Sequence, residues 1–173
     1  MEEDLRKIHD RLGIASDYEQ TTGLSLQKTP DDLISIGEDI YGRPQRLSAA
    51  AASAWREMQS SARDDQVDLL LVSAFRSIEY QIEVIERLLA KGENIEDILT
   101  RVAAPGFSEH QSGNAVDLTS SDTEVLEEDF DESHAFAWLM RNAAKHRFYL
   151  SYPKGNELGV IYEPWHWCYR EDT

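Results

Sequence analysis

A single cysteine, Cys168, stands in a chain of 173 residues. No intramolecular disulfide can form, and a cysteine-rich zinc site is excluded. Cys168 follows Trp167 in an apolar, aromatic run, so it reads as a packed thiol rather than a nucleophile. Basic residues are scarce: 17 Lys and Arg stand against 33 Asp and Glu, for a net charge of −16. That balance repels phosphate backbones and anionic membrane surfaces, which argues against nucleic-acid binding and leaves a solubilising acidic coat. No apolar run is long enough to span a bilayer. The opening MEEDLRKIHD is acidic and helix-like and carries no apolar leader segment. A cytoplasmic chain is expected, or one exported by a leader outside this sequence. Internal repeats and low-complexity blocks are missing too, apart from the alanine-rich SAAAASAW at 48–55.

What is present is one domain's worth of ordinary globular composition, 41% hydrophobic and 29% charged. The alanine-rich run predicts a helix from a Ser48 N-cap to about Arg63, carrying Trp55 and Met58. Residues 16–46 mix turn signals with short apolar pieces and read as loops with one short strand. VDLLLVSAF at 67–75 fits a buried strand. SIEYQIEVIERLLAKG at 77–92 places Ile78, Ile82, Ile85 and Leu89 at helical spacing and ends in Gly92. A short helix follows near 94–101, then a loop over 104–113 and a strand over NAVDLTS. SHAFAWLMRNAAKHRF at 133–148 predicts an amphipathic helix with Phe136, Leu139, Met140 and Ala143 on one side. The tail from Phe148 to Tyr169 reads as two or three strands around a turn at Pro153 and Gly155. Helices first and strands last suggest an α+β fold with a small antiparallel sheet and flanking helices.

Two stretches carry chemistry. FSEHQSGNAVDL at 107–118 sets His110 and Asp117 seven positions apart, around a turn marked by Gly113 and Asn114. A salt bridge would satisfy that pair, and so would a metal ion with a third ligand elsewhere. YEPWHWCY at 162–169 holds Glu163 and His166, three apart. Pro164 argues against a helix there, so this is not a helical H-E-x-x-H arrangement. A strand pair spaced by three points to opposite faces, and Pro164 can supply the bend that lets the two converge. The chain thus offers His110, Asp117 and His166 as nitrogen and oxygen ligands. Three protein ligands and an open position are the pattern of a catalytic zinc site, and Glu163 is placed as a non-ligating base.

SEHQSGNAVDL has the form S-x-H-x-x-G-x-A-x-D, EPWHW the form E-P-W-H, and SAFRSIEYQ at 73–81 the form S-x-[FY]-R-S-x-x-x-Q. Together, and in this order, they resemble the VanY-type zinc D-alanyl-D-alanine carboxypeptidases and their L,D-carboxypeptidase relatives. That group also includes lysostaphin-like endopeptidases and the hedgehog amino-terminal domain. The resemblance covers about 45–170, within a single expected domain over 1–173 and after an N-terminal extension, 1–44. It implies a hedgehog- and D-Ala-D-Ala-peptidase-like fold. It also implies one zinc ion on His110, Asp117 and His166, with Glu163 as the base. Arg76 would stabilise the oxyanion or hold the substrate, and a guanidinium at a strand-to-helix turn suits either task. Ser108 and Gln81 would bind the peptide end, and Trp165 would be core or a wall of the site. Arg147, in KHRF at 145–148, stands where the family carries glycine. The acidic SSDTEVLEEDFDES at 120–133 is expected as a solvated loop near the site. His9, His134 and His146 match no motif and are read as structural or exposed.

The implied activity removes a C-terminal D-alanine from peptidoglycan stem peptides, in D,D or L,D linkage. An endopeptidase of a lysis system and a non-catalytic zinc-binding module are the alternatives. D,D against L,D specificity is not separable from the residues, because the terminal D-alanine is common to both.

Overall fold

The computed structural model describes residues 3–171. The first two residues of the expected N-terminal helix lie outside that range; the helix itself, α1, runs Glu3–Leu12, and a short α2 follows at Tyr18–Thr22. Where loops with one strand were expected, two strands form instead. β1 (Leu33–Glu38) and β2 (Pro44–Ser48) pair as an antiparallel hairpin, with a bulge between Ser35 and Gly37. The Asp39 carboxylate accepts from the backbone N–H groups of Tyr41 and Arg43 and so closes the turn.

α3 (Ala49–Asp64) begins as expected: the Ser48 hydroxyl accepts from the Ala51 N–H, and Trp55, Met58 and Ala62 are buried. β3 is shorter than predicted, Leu70–Ser73. α4 (Ile78–Ala90) is capped by Ser77, and its innermost positions are Gln81 and Ile85. α5 (Ile95–Leu99) is capped by Asn94. The expected loop at 104–113 contains a 3₁₀ turn, Glu109–Ser112, which ends at a left-handed Gly113 with φ +68°. β4 (Ala115–Thr119) follows.

The acidic segment is more than a solvated loop. It holds a 3₁₀ turn, Glu128–Glu132, and buries Phe130. α6 is short, His134–Asn142, and tightens into a 3₁₀ turn over Ala143–His146. The buried face differs from the expected one. Ala135, Trp138, Leu139 and Ala143 are buried, whereas Met140 is 58% exposed. Arg147 ends the turn at φ +61°, in the backbone region that favours glycine. β5 (Phe148–Leu150) and β6 (His166–Tyr169) account for the tail; a long irregular segment separates them where a third strand was allowed for. His9 is buried against the Pro105 carbonyl, 2.8 Å from Nε2, and His134 is exposed.

The main sheet has the order β3-β4-β6-β5, antiparallel throughout. Its period-two alternation divides the roles of its central strands. Val116, Leu118, Trp167 and Tyr169 join Trp55, Met58 and Trp138 in the larger apolar cluster. Asp117 and His166 are cross-strand partners on the opposite face, with Ser73 of β3 opposite Asp117 on its other side. A second cluster gathers Leu12, Tyr18 and Leu24 of the N-terminal segment with Ile85, Ile98 and Phe107. Gln27 N–H donates to the Gly106 carbonyl at 2.7 Å, so this segment braces the loop that leads into the Ser108–His110 stretch.

Candidate metal centre and cleft

Three features of the backbone converge on one point. The 3₁₀ turn presents His110, the centre of β4 presents Asp117, and the start of β6 presents His166. All three are at least 97% buried. One ligand atom from each lies within 4.8 Å of the others. Glu163 arrives by a tight turn: His166 N–H donates to the Glu163 carbonyl at 3.1 Å, with Pro164 and Trp165 at the corner. The bend expected of Pro164 is therefore present, and Glu163 Oε2 lies 3.8 Å from His166 Nδ1.

Each histidine has one nitrogen anchored outward. His110 Nδ1–H donates to the Ala74 carbonyl at 2.6 Å. That leaves Nε2 as a lone-pair acceptor, buried, 3.1 Å from Asp117 Oδ2 but without hydrogen-bond geometry to any described residue. His166 Nε2 is 2.9 Å from Glu109 Oε2, and Nδ1 is 3.1 Å from Asp117 Oδ1. A buried imidazole nitrogen with no partner, facing a carboxylate and a second imidazole, fits a divalent ion that takes nitrogen and oxygen ligands.

Electrostatics support the same reading. Burial and then the charge of Arg76 lower His110 to about 4, so its ring is neutral. Burial would raise Asp117, but His110, His166 and Arg76 hold it well below the usual carboxylate range. Burial would lower His166, but hydrogen bonds to Asp117 and Glu109 raise it to about 10. Glu163 behaves in the opposite way to Asp117. Desolvation dominates and lifts it to about 7.

The cluster forms the floor of a cleft of about 600 Å³. Arg76 is there, with Nη2 2.6 Å from Asp117 Oδ2 and Nε donating to Ser73 Oγ at 3.1 Å. Gln81 lines the cleft; its amide N–H₂ donates to the Ala103 carbonyl, and its Oε1 is buried without a partner among the described residues. Ser108 and Trp165 line it too, and Trp165 also packs in the main core. Leu126 and Glu128, from the acidic segment, form part of the rim.

Two neighbours of the centre escaped sequence reasoning. Glu109 sits at an unspecified position of the motif, and its partner lies 57 residues away. Tyr152 lays its ring 4.8 Å from that of His166 and lines the cleft; burial, Glu109 and Glu163 all push its hydroxyl pKa up. Nothing local in SYPKG announces that contact. Cys168 is a buried thiol whose pKa burial raises, in keeping with a packing role.

A small α+β architecture with a His–Asp–His cluster and a desolvated glutamate at the floor of a cleft defines a candidate mononuclear metal centre. The chain belongs to the VanY D-alanyl-D-alanine carboxypeptidase family, whose model matches residues 44–172. It is 39% identical over 144 residues to a D-alanyl-D-alanine carboxypeptidase of Enterococcus faecium, a match that covers 79% of this chain and 41% of that protein. Among solved structures, the LdcB LD-carboxypeptidase aligns with a TM-score of 0.74 at 31% identity, over 82% of this chain and 69% of the other. A glutamate-to-alanine mutant of the D,D-pentapeptidase VanY, in complex with Zn(II), aligns with a TM-score of 0.63 at 26% identity, over 86% and 87%. The chain spans about half the length of most of the curated relatives that it matches. Among the described residues, no helix is long and apolar enough to cross a membrane.

Proposed function

We propose that this chain is a zinc-dependent carboxypeptidase that releases C-terminal D-alanine from peptidoglycan stem peptides. The observation that carries the proposal is the convergence of His110 Nε2, Asp117 and His166 Nδ1 beside Glu163, at the floor of one cleft. Family membership and the relatives named above supply the substrate class.

In this reading His110, Asp117 and His166 hold the ion. Zinc, when bound, supplies a Lewis acid for the scissile carbonyl and acidifies water. Glu163 takes the proton of the attacking water and delivers it to the leaving amine; its desolvated carboxyl is suited to carrying a proton near neutrality. Arg76, fixed by Ser73 and Asp117, faces the developing oxyanion or the substrate carboxylate. The unpartnered Oε1 of Gln81 accepts a substrate N–H, Ser108 offers its hydroxyl to the peptide end, and Trp165 walls the site.

A carboxypeptidase must recognise a free terminal carboxylate, and an endopeptidase need not. Amidation of the C-terminus leaves buried donors of the site without their partner, which is costly. Defined stem peptides in acid and amide form, followed by mass spectrometry, test the point. The acid should be cleaved faster by orders of magnitude. Equal rates for the two forms would reject the carboxypeptidase and favour the endopeptidase.

A further inference from the structure

His166 lies between two carboxylates, and once the ring gives up a proton to bind a metal they compete for the one that remains. On the inner side Nδ1 lies 3.1 Å from Asp117 Oδ1; on the outer side Nε2 lies 2.9 Å from Glu109 Oε2. A neutral imidazole has one N–H. With that proton on Nδ1 it bonds to Asp117, and no lone pair faces the cluster. With the proton on Nε2 it bonds to Glu109, and Nδ1 turns a lone pair towards Asp117 and His110.

We propose that Glu109 is the positioning residue that selects the metal-binding tautomer of His166, by holding Nε2–H and so leaving Nδ1 as the ligand atom. The inference rests on the reading of His166 as a ligand. It assigns to Glu109 a task that neither touches substrate nor moves a proton.

Glu109 is built for that task. It belongs to the same short 3₁₀ turn as His110, so one piece of backbone supplies one ligand and steadies the other. The oxygen that receives the His166 N–H also accepts from Ser151 Oγ at 2.5 Å, which fixes the carboxylate in place. Ser151 is itself tied to β6, since its N–H donates to the His166 carbonyl. The side chain of Glu109 is only 20% exposed, so water competes weakly for the bond. Tyr152 packs against the His166 ring at an interplanar angle of 41° and restricts its rotation. His110 needs no such residue, because the Ala74 backbone carbonyl anchors its outer nitrogen. Of the two histidines' outer anchors among the described residues, Glu109 is thus the one that a side-chain substitution can remove.

The test uses the full chain, loaded with zinc, as wild type, Glu109→Gln, Glu109→Ala and His166→Ala. Zinc dissociation constants come from competition with a chelator. Ring ¹⁵N spectra report which nitrogen of His166 binds the metal and whether the other carries a slowly exchanging proton. Loss of such an outer partner weakens metal binding about 10–100-fold. Glu109→Ala should show that loss and a His166 Nε2–H in fast exchange. Glu109→Gln keeps an acceptor without the charge, so it should fall between Glu109→Ala and wild type, and it carries the test if Glu109→Ala does not fold. A wild-type His166 bound through Nε2 would overturn the proposal. So would zinc affinity within twofold of wild type for Glu109→Ala, or for Glu109→Gln where that variant carries the test, with the Nε2–H signal intact. Failure of the underlying reading looks different: zinc affinity would then survive His166→Ala.

Discussion

Gly113 separates two of the three candidate ligands, and its replacement by alanine probes how tightly the turn between them is packed. Its φ is +68°, and a Cβ placed there would lie 2.9 Å from the Ser48 backbone nitrogen and 3.0 Å from Leu33 Cδ2. Ser48 N–H already donates to the Gly113 carbonyl at 2.8 Å, and Ser48 caps α3, so that backbone has little freedom to withdraw. Gly155 is the natural control. Its φ is +75°, yet a Cβ there meets nothing within 4 Å. Left-handed backbone costs a non-glycine residue about 1–2 kcal/mol, and both substitutions incur that cost. Overpacking adds about 1–3 kcal/mol at Gly113 alone. For a chain of this size each kcal/mol moves the melting temperature by roughly 2–4 °C. Thermal melts of the metal-free proteins should therefore place Gly113→Ala below Gly155→Ala by about 2–12 °C, using the same conversion. Metal-free samples keep ligand binding from masking the difference. Equal melting temperatures for the two variants would refute the packing argument. Gly155→Ala should keep wild-type zinc affinity, and Gly113→Ala should lose part of it.

Zinc content should fall from about one ion per chain to near zero in His110→Ala or His166→Ala, as three-ligand binding requires; full zinc by elemental analysis in both would sink the ligand assignment. Glu163→Gln should retain zinc and lose turnover about 10²–10⁴-fold, the usual contribution of a positioned acid–base group; activity within threefold of wild type would mean that another residue is the base. In the metal-free protein His166 keeps its proton up to about pH 10, above its ordinary value, so zinc must displace that proton at any lower pH. Zinc affinity should accordingly strengthen from pH 6 to pH 9, with protons released on binding. Calorimetry in buffers of different ionisation enthalpy counts those protons, and a pH-independent affinity would contradict the protonated His166.

How much of this was legible in the sequence differs from element to element, for physical reasons. Helices with a strong local signal were readable: the alanine run after its Ser48 cap, and the isoleucine stripe that ends at Gly92; the structure adds the caps Ser77 and Asn94. The β1–β2 hairpin was not, because its strands lie half exposed and a bulge breaks their alternation. Met140 was misplaced because the buried stripe of α6 runs through Ala135, Trp138 and Leu139, and the helical turn from Leu139 to the next residue points Met140 away from it. The candidate site residues of the three motifs were legible as types, and Arg76, Gln81, Ser108, His110, Asp117, Glu163, Trp165 and His166 all line one cleft. Glu109 and Tyr152 could not be found that way. A hydrogen bond across 57 positions and a ring contact across a loop leave no periodic trace.

Asp117 and His166 face one another across the β4–β6 ladder, and that pairing has a consequence for how the chain can change length. A sheet has a period of two, so a slip of one residue between these strands would send one of the two side chains to the opposite face. Insertions or deletions within 115–119 or 166–169 therefore act as all-or-nothing events for the centre. The stretch between the strands, 120–165, is under no such rule in its turns. Turn segments such as 154–159 can gain or lose residues without altering the pairing. Variation in length should accumulate in those turns, while the residue count within the two paired strands stays fixed.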